Sequence, residues 1–276
     1  SGGSGKDGAG AGEARSAPGS SAGDGPAASI VLVTHNALAH TRLCLRSLVR
    51  NTHAPAWEAL VVDNGSTDGT AAWLGETAVR HDWLRVIPNP ENRGFAAACN
   101  QGLHEARGDA LVLLNNDTLV PPDWLPRLLS ALEQPSAGLV CPSTNGAANE
   151  ARIGVPYRTW AEMEAFAAWC HLTYGDQVEP LPMAPMFCAA MTRRTFQQVG
   201  DLDERFRIGM FEDDDYSRRV RGHGLALLCA RGVFVHHFQI ASFGPLRQNG
   251  SYDRLYAENQ RRFEEKWGAH APPTRP

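Results

Sequence analysis

Residues 29–36 read Ser-Ile-Val-Leu-Val-Thr-His-Asn, and residues 60–69 read Leu-Val-Val-Asp-Asn-Gly-Ser-Thr-Asp-Gly. Each is a short β-branched apolar run that stops in polar, turn-forming residues, as a strand does where it leaves a sheet. Between and after them lie longer segments of helical period, and that alternation is the signature of βα units around a parallel sheet. Strands are expected at 29–34, 58–63, 84–87, 110–115 and 138–141, with helices near 37–50, 68–79, 94–106 and 122–133. Pro121, Pro122 and Asp123 read as the N-terminal turn of the last helix. The fold class is therefore α/β, with a Rossmann-like first half.

From about residue 142 the texture changes to a less regular half richer in Pro, Met and aromatics. A helix is expected at 160–171, a strand at 186–191, a helix from Asp213, strands at 225–229 and 233–237, and an amphipathic helix from Tyr252 to Trp267. Residues 1–28 are nearly all Gly, Ala, Ser, Pro and isolated charges, too poor in apolar side chains to offset the entropy of ordering, and read as a disordered tail. Its first residues, Ser1–Gly5, have the composition of a linker. The expected organisation is one domain over 29–268, divided at residue 141, with a flexible end at 269–276.

Composition excludes several classes. The chain has 276 residues, 43% of them hydrophobic and 20% charged, which fits a packed globular protein and not a disordered or fibrous one. With 26 basic against 30 acidic side chains the formal charge is −4, which gives no bulk attraction for nucleic acid. Lys6 and Lys266 are the only lysines, so almost all positive charge is arginine. Six scattered cysteines without a CxxC pair read as free thiols of a reducing compartment. No apolar run approaches the roughly 20 residues needed to cross a bilayer, and no leader-like segment precedes them. A cytoplasmic protein is expected, with peripheral contact at a membrane left open.

Five stretches can carry chemistry. In open α/β sheets ligands sit beyond the carboxyl ends of strands, which would bring Thr34, Asn36, Asp63 and Ser66 into one crevice. There Asp63 is an acceptor suited to a nucleobase N–H; the same stretch equally reads as an Asx-type turn with Asp68 capping the next helix. Asn92-Arg93-Gly94-Phe95-Ala96-Ala97-Ala98 opens a helix without bulk, where exposed N–H groups and an arginine suit a diphosphate or nucleoside. It also fits an alanine-rich helix packed tightly on the sheet. In Leu114-Asn115-Asn116-Asp117, Asp117 can bind a hard divalent cation whose octahedron substrate phosphates complete, although such a run is commonly just a turn. Four consecutive acids, Glu212 to Asp215, stand at the expected start of a helix, where the dipole favours them and crowding raises at least one pKa towards that of a general base. Of the adjacent His236 and His237, alternation along a strand turns at most one to the crevice.

Taken together, in this order and spacing, these stretches resemble the family 2 glycosyltransferases, and are most similar to bacterial rhamnosyltransferase-type and galactofuranosyltransferase-type members, over about residues 29–242. The resemblance implies the GT-A fold, a mixed sheet with helices on both faces and a less regular acceptor half. It implies that Thr34, Asn36, Asp63 and Ser66 hold base and ribose, with Asn92, Arg93 and Gly94 nearby. Asn115, Asn116 and Asp117 stand where the family has its Asp-X-Asp motif, so Asp117 would bind Mg2+ or Mn2+, with His237 as second ligand because it lies five residues before Ser242. Asp213 maps onto the catalytic base, with Glu212 and Asp215 as supporting acids, and Arg93 or another cation would stabilise the leaving diphosphate.

The implied activity is inverting transfer from a UDP- or dTDP-sugar to a hydroxyl of a glycan, lipid-linked, peptide or small-molecule acceptor, at the cytoplasmic side or the inner face of a membrane. A silent nucleotide-binding scaffold of the same fold is the alternative. A sugar-phosphate nucleotidyltransferase fits less well, because its first loop would be glycine-rich and basic where this chain has His35-Asn36-Ala37. Two departures from the family pattern stand out: His35 replaces a tyrosine, and Asn115 replaces an acid in the metal motif.

Overall fold

The computed structural model describes residues 25–53, 55–239 and 250–268. Most of the N-terminal tail, the C-terminal residues 269–276 and Ser242 lie outside them. The first half alternates as expected: β1 (Ala28–Thr34), α1 (Leu38–Asn51), β2 (Trp57–Asn64), α2 (Thr70–Arg80), β3 (Leu84–Asn89), α3 (Phe95–Glu105) and β4 (Ala110–Asn115). These four strands are parallel in the order β3-β2-β1-β4. Thr34 pairs with Asp63 and Val33 with Asn115, so the carboxyl ends of three strands finish level.

The second half contributes β5 (Thr118–Leu119), α4 (Trp124–Leu132), β6 (Ala137–Ser143), α5 (Trp160–Tyr174), β7 (Val178–Pro180), β8 (Cys188–Thr192), α6 (Arg193–Val199), α7 (Glu212–Gly222), β9 (Ala226–Phe234), β10 (His236–His237) and α8 (Ser251–Trp267). Its strands extend the sheet to β3-β2-β1-β4-β8-β6-β9-β7, and β8 runs antiparallel between β4 and β6. Both halves thus share one mixed sheet. A separate two-stranded ribbon joins β10 to β5, with His237 opposite Thr118.

Alternation on the strands builds a core on each face. Ile30 and Leu32 of β1 pack with Leu48 and Trp124 on one side, whereas Val31 packs with Leu103 of α3 and Val220 of α7 on the other. Helix α3 lies very close to the sheet: Ala96, Ala97 and Ala98 are buried, and a Cβ on Gly102 would stand 3.3 Å from Val62 and nearer still to Val31. All six cysteines are buried free thiols.

Two expectations need correction, and three short elements are not anticipated from sequence. Helix α4 starts at Trp124, and Asp123 adopts φ 60° with no capping bond, its carboxylate instead lying 3.4 Å from Arg127. The strands expected at 225–229 and 233–237 are one continuous β9 followed by the short β10, because Gly232 lets the backbone press against the Gly175 carbonyl without interruption. The strands β5 and β7 and helix α6 are too short to leave a periodic trace.

Helix α8 closes over the segment before α7 through Phe206, Met210, Phe211 and Phe263. Lys266 cross-links it, with Nζ 2.7 Å from Asp203 and 2.6 Å from Asp215. Burial alone would raise the Asp203 pKa, but hydrogen bonds from Arg205 and Lys266 outweigh it and hold the carboxyl well below its usual range. A depressed carboxylate pKa contributes stability above the unfolded value of about 4 and loses it as pH falls below that. Asp203→Asn is therefore expected to lower the urea midpoint at pH 7 and to lower it less near pH 2, and an equal difference at both pH values would count against the cross-link.

Candidate active site

A cleft of about 460 Å³ opens beyond the carboxyl end of β4. Asn115, Asp117 and His237 line it on the side of the ribbon, and Glu212 and Asp213 reach it from the start of α7. Carboxylates almost a hundred positions apart in sequence therefore face a single cavity.

The turn after β4 delivers Asp117 at 2% exposure, and its carbonyl accepts the Phe238 N–H at 2.9 Å, which fixes the ribbon beneath it. The Nε2 of His237 lies 3.2 Å from Asp117 Oδ1 and 3.4 Å from the Asn115 amide nitrogen. Its Nδ1 lies 3.2 Å from the Gly146 carbonyl, which can only accept, so the hydrogen-bond pattern assigns a neutral ring its proton there. The Nε2 lone pair then faces a carboxylate oxygen. For that neutral ring, two acceptors at that separation form a donor set that a cation would relieve, the carboxylate oxygen being the donor that suits Mn2+ or Mg2+. Phe187 stacks on the imidazole at 5.0 Å and 15°, and Asn145 clamps the His237 backbone from both sides, holding the ring in that plane. His236 faces the other way, 2.6 Å from the Tyr157 hydroxyl; burial, and the neighbouring His237, push its pKa down to about 4. Among the described residues no cluster of three or more His, Cys, Asp or Glu side chains is assembled for a metal, so a cation held by Asp117 and His237 would take its other donors from a ligand.

Asp213 sits in the first turn of α7 with Oδ1 accepting the Asp214 N–H at 3.0 Å. The approach to it is contorted: Arg207, Met210 and Phe211 all have positive φ. Such backbone persists only where neighbours over-determine it. Here Asn259 of α8, fully buried, aims one amide nitrogen at the carbonyls of Phe206, Gly209 and Met210, at 2.8, 2.7 and 3.3 Å. Asp215 is wholly buried and points away, binding Arg219, Lys266 and the Trp267 indole. Asn259→Ala removes this donor from all three carbonyls, of which that of Phe206 keeps the Gly209 N–H, and is expected to cost about 1–3 kcal/mol of stability in urea unfolding, and to lower turnover of the remaining folded protein. No change in either would deny Asn259 its part.

The other residues singled out from sequence gather beside this cleft, not in its lining. Asn36 accepts the Thr67 N–H at 2.8 Å, and its own N–H donates to Ser66 Oγ at 2.7 Å. Thr34 and Asn116 are buried, and Asn116 Nδ2 donates to the Thr34 hydroxyl at 3.1 Å and to the Thr41 hydroxyl at 2.9 Å. Asp63 is 2% exposed, and among the described residues its buried Oδ1 has no hydrogen-bond partner at the end of β2. Asn92 Oδ1 accepts from Asn64 and the Gly94 N–H, both at 2.9 Å. A Cβ on Gly94 would collide with the Arg207 backbone, to which the Phe95 N–H donates at 2.7 Å. Arg93 is exposed, and His35 reaches the Asn64 carbonyl at 2.9 Å. Asp68 does cap: Oδ1 accepts the Thr70 N–H at 3.1 Å, while Oδ2 takes the Leu38 N–H at 3.0 Å and so ties the starts of α2 and α1 together.

Sequence reasoning missed Asn64, Asn145 and Asn259. Asn64 lay inside a quoted motif and joins three neighbouring segments; Asn259 is one amide on a charged helix, with partners about fifty positions away.

Comparisons with known proteins add a separate line of support. The family model described as Glycosyl transferase family 2 matches residues 29–200, more than half of the chain. An N-acetylglucosaminyl-diphospho-decaprenol L-rhamnosyltransferase of Mycobacterium tuberculosis is 29% identical over 236 residues, covering 75% of each chain. The glycosyltransferase AglE of Haloferax volcanii is 30% identical over 116 residues, 42% of this chain and 38% of that one. The O-antigen biosynthesis protein RfbC of Myxococcus xanthus is 27% identical, and the chain spans 71% of itself but 16% of RfbC in that match. Among solved structures, mannosyltransferase PcManGT from Pyrobaculum calidifontis with GDP-Man and Mn2+ superposes with TM-score 0.60 at 20% identity, covering 90% of this chain and 66% of the other. GalNAc-T7 with UDP, GalNAc and Mn2+ gives 0.62 at 17%, covering 77% and 44%. Likeness at those identities establishes the shared GT-A fold.

Proposed function

Because this chain belongs to glycosyl transferase family 2, we propose that it transfers a sugar from a UDP- or dTDP-linked donor to an acceptor hydroxyl, with inversion, in a reaction dependent on Mn2+ or Mg2+. The observation that carries this reading is the convergence of Asp117, His237 and Asp213 on one cleft at the carboxyl end of the parallel strands. Buried Asp63, whose Oδ1 finds no partner among the described residues, supports nucleobase recognition at the neighbouring end of β2. Thr34, Asn36, Ser66, Asn92, Gly94 and Asn116 build the rigid frame around that position.

Asp117 and His237 would hold the cation, which when bound neutralises charge on the donor diphosphate. Asp213 accepts the proton of the acceptor hydroxyl as that oxygen attacks the anomeric carbon. The bond from that carbon to the diphosphate breaks in the same step, its electron pair leaves with the nucleoside diphosphate, and configuration inverts. The acceptor's class, whether glycan, lipid-linked, peptide or small molecule, belongs to the irregular half. No helix among the described residues is long and apolar enough to span a membrane, and the six buried thiols support a reducing, cytoplasmic setting.

The test is calorimetry with UDP, dTDP and GDP in Mn2+, followed by a screen of the matching nucleotide sugars by product mass with hydrolysis as the fallback signal. Metal-dependent binding together with transfer or hydrolysis is the expected result. Tight binding with neither would favour a silent scaffold, and no binding of any nucleotide would remove the reading.

A further inference from the structure

A reaction in which the leaving diphosphate gains a further negative charge as the bond breaks is helped by a fixed cation near that bond, and the cleft contains three carboxylates, Asp117, Glu212 and Asp213. Among the described residues, Arg152 is the one arginine or lysine that lines it. From sequence this charge is expected of Arg93 or another cation; Arg93 and Arg152 are both exposed, and of the two only Arg152 lines the cleft.

The mount of Arg152 is unusually rigid for a loop. The Thr144 N–H donates to the Ala151 carbonyl at 2.9 Å, and the Ile153 N–H donates back to the Thr144 carbonyl at 2.8 Å, so residues on both sides of Arg152 are paired to the end of β6. Asn149 pins the turn internally by accepting the Ala151 N–H at 3.2 Å, and externally by donating to the Met183 carbonyl at 2.8 Å. The Glu150 carbonyl accepts from Arg231 at 2.8 Å. Ala151 is fully buried and Ile153 packs inward, so alternation turns the guanidinium of Arg152 outward to the cleft. The turn begins beside Asn145 and Gly146, the residues that hold His237. Within the described residues the guanidinium has neither a hydrogen bond nor an ion pair in which its charge is spent.

We propose that Arg152 is the cleft's diphosphate-binding arginine, hydrogen-bonding the donor phosphates and stabilising the charge that develops on them as the bond to the anomeric carbon breaks. A guanidinium suits this work because it is permanently charged and meets two phosphate oxygens at once. A rigid mount makes it effective, since little reorganisation is needed at the moment of reaction. None of the bonds that shape the turn uses its side chain, so substitutions there leave the fold intact. The inference rests on the transferase reading.

The test compares wild type, Arg152→Gln and Arg152→Lys by calorimetry in Mn2+, with the preferred nucleoside diphosphate and the matching monophosphate. Arg152→Gln is expected to weaken diphosphate binding by about 10- to 100-fold, to change monophosphate binding far less, and to slow donor hydrolysis or transfer; Arg152→Lys recovers part of the loss. Equal diphosphate affinity in wild type and Arg152→Gln overturns the inference alone, including the case where only the acceptor's KM rises because the arginine serves an anionic acceptor. If wild type binds no nucleoside diphosphate, this inference and the transferase reading fall together.

Discussion

Asp213→Asn is expected to lower turnover by about 100-fold or more, the usual worth of a general base, while nucleoside diphosphate binding stays within error of wild type. The substitution is isosteric and spares the local structure, because an amide oxygen can accept the Asp214 N–H as the carboxylate does at 3.0 Å. It also removes one of four acids crowded in the first turn of α7, relieving repulsion while three carboxylates remain to meet the helix dipole. A fall in rate would therefore report lost proton acceptance and not a disturbed fold. Glu212 supplies the internal control, since it too lines the cleft. Should Glu212→Gln abolish transfer and Asp213→Asn leave it untouched, the base is the neighbouring residue; should neither matter, the single-displacement mechanism is wrong.

How much of this was legible in advance depends on how local the information is. Strand β1 and its helix α1 were readable within a residue because an apolar run followed by a polar stop is written in consecutive positions. The insertion of β8 between β4 and β6 was not, because its pattern specifies a strand but not the two neighbours, about fifty and seventy-five positions earlier, that it joins. The histidine pair shows the boundary well. Alternation along a strand says that His236 and His237 face opposite ways, but only the antiparallel register of β10 on β5, a contact across more than a hundred positions, turns His237 towards Asp117. The base loop lies further beyond local reading. Positive φ at Arg207, Met210 and Phe211 contradicts what those side chains prefer, and it is held by an amide on a helix whose own sequence speaks only of amphipathic packing. Asp117, Asp213 and His237 were thus picked out by residue type, whereas the residues that hold them were not, because a supporting amide looks like any other until its distant partners are known.

Asp117→Ala is expected to weaken Mn2+-dependent donor binding by more than the roughly 10- to 100-fold that follows from losing a mere outer partner of a metal ligand. The expectation is steep because the protein provides so few donors here. Where the family places an acid, this chain has Asn115, whose amide lies 3.4 Å from His237 Nε2 and carries no charge, so among the described residues Asp117 is the one anionic oxygen beside that nitrogen. Its removal leaves an imidazole and the donor's own phosphates to hold the cation. The scaffold survives the change: the Phe238 N–H bonds to the Asp117 backbone carbonyl, which alanine retains, so β10 keeps its place. Binding measured without metal then stays near that of wild type, and the two titrations separate loss of the cation from loss of the nucleotide pocket. Asn115→Asp tests the same argument from the other side, since a second carboxylate beside His237 should tighten the Mn2+ titration. An Asp117→Ala protein whose Mn2+ titration matches wild type would show that the cation is held elsewhere, or not at all.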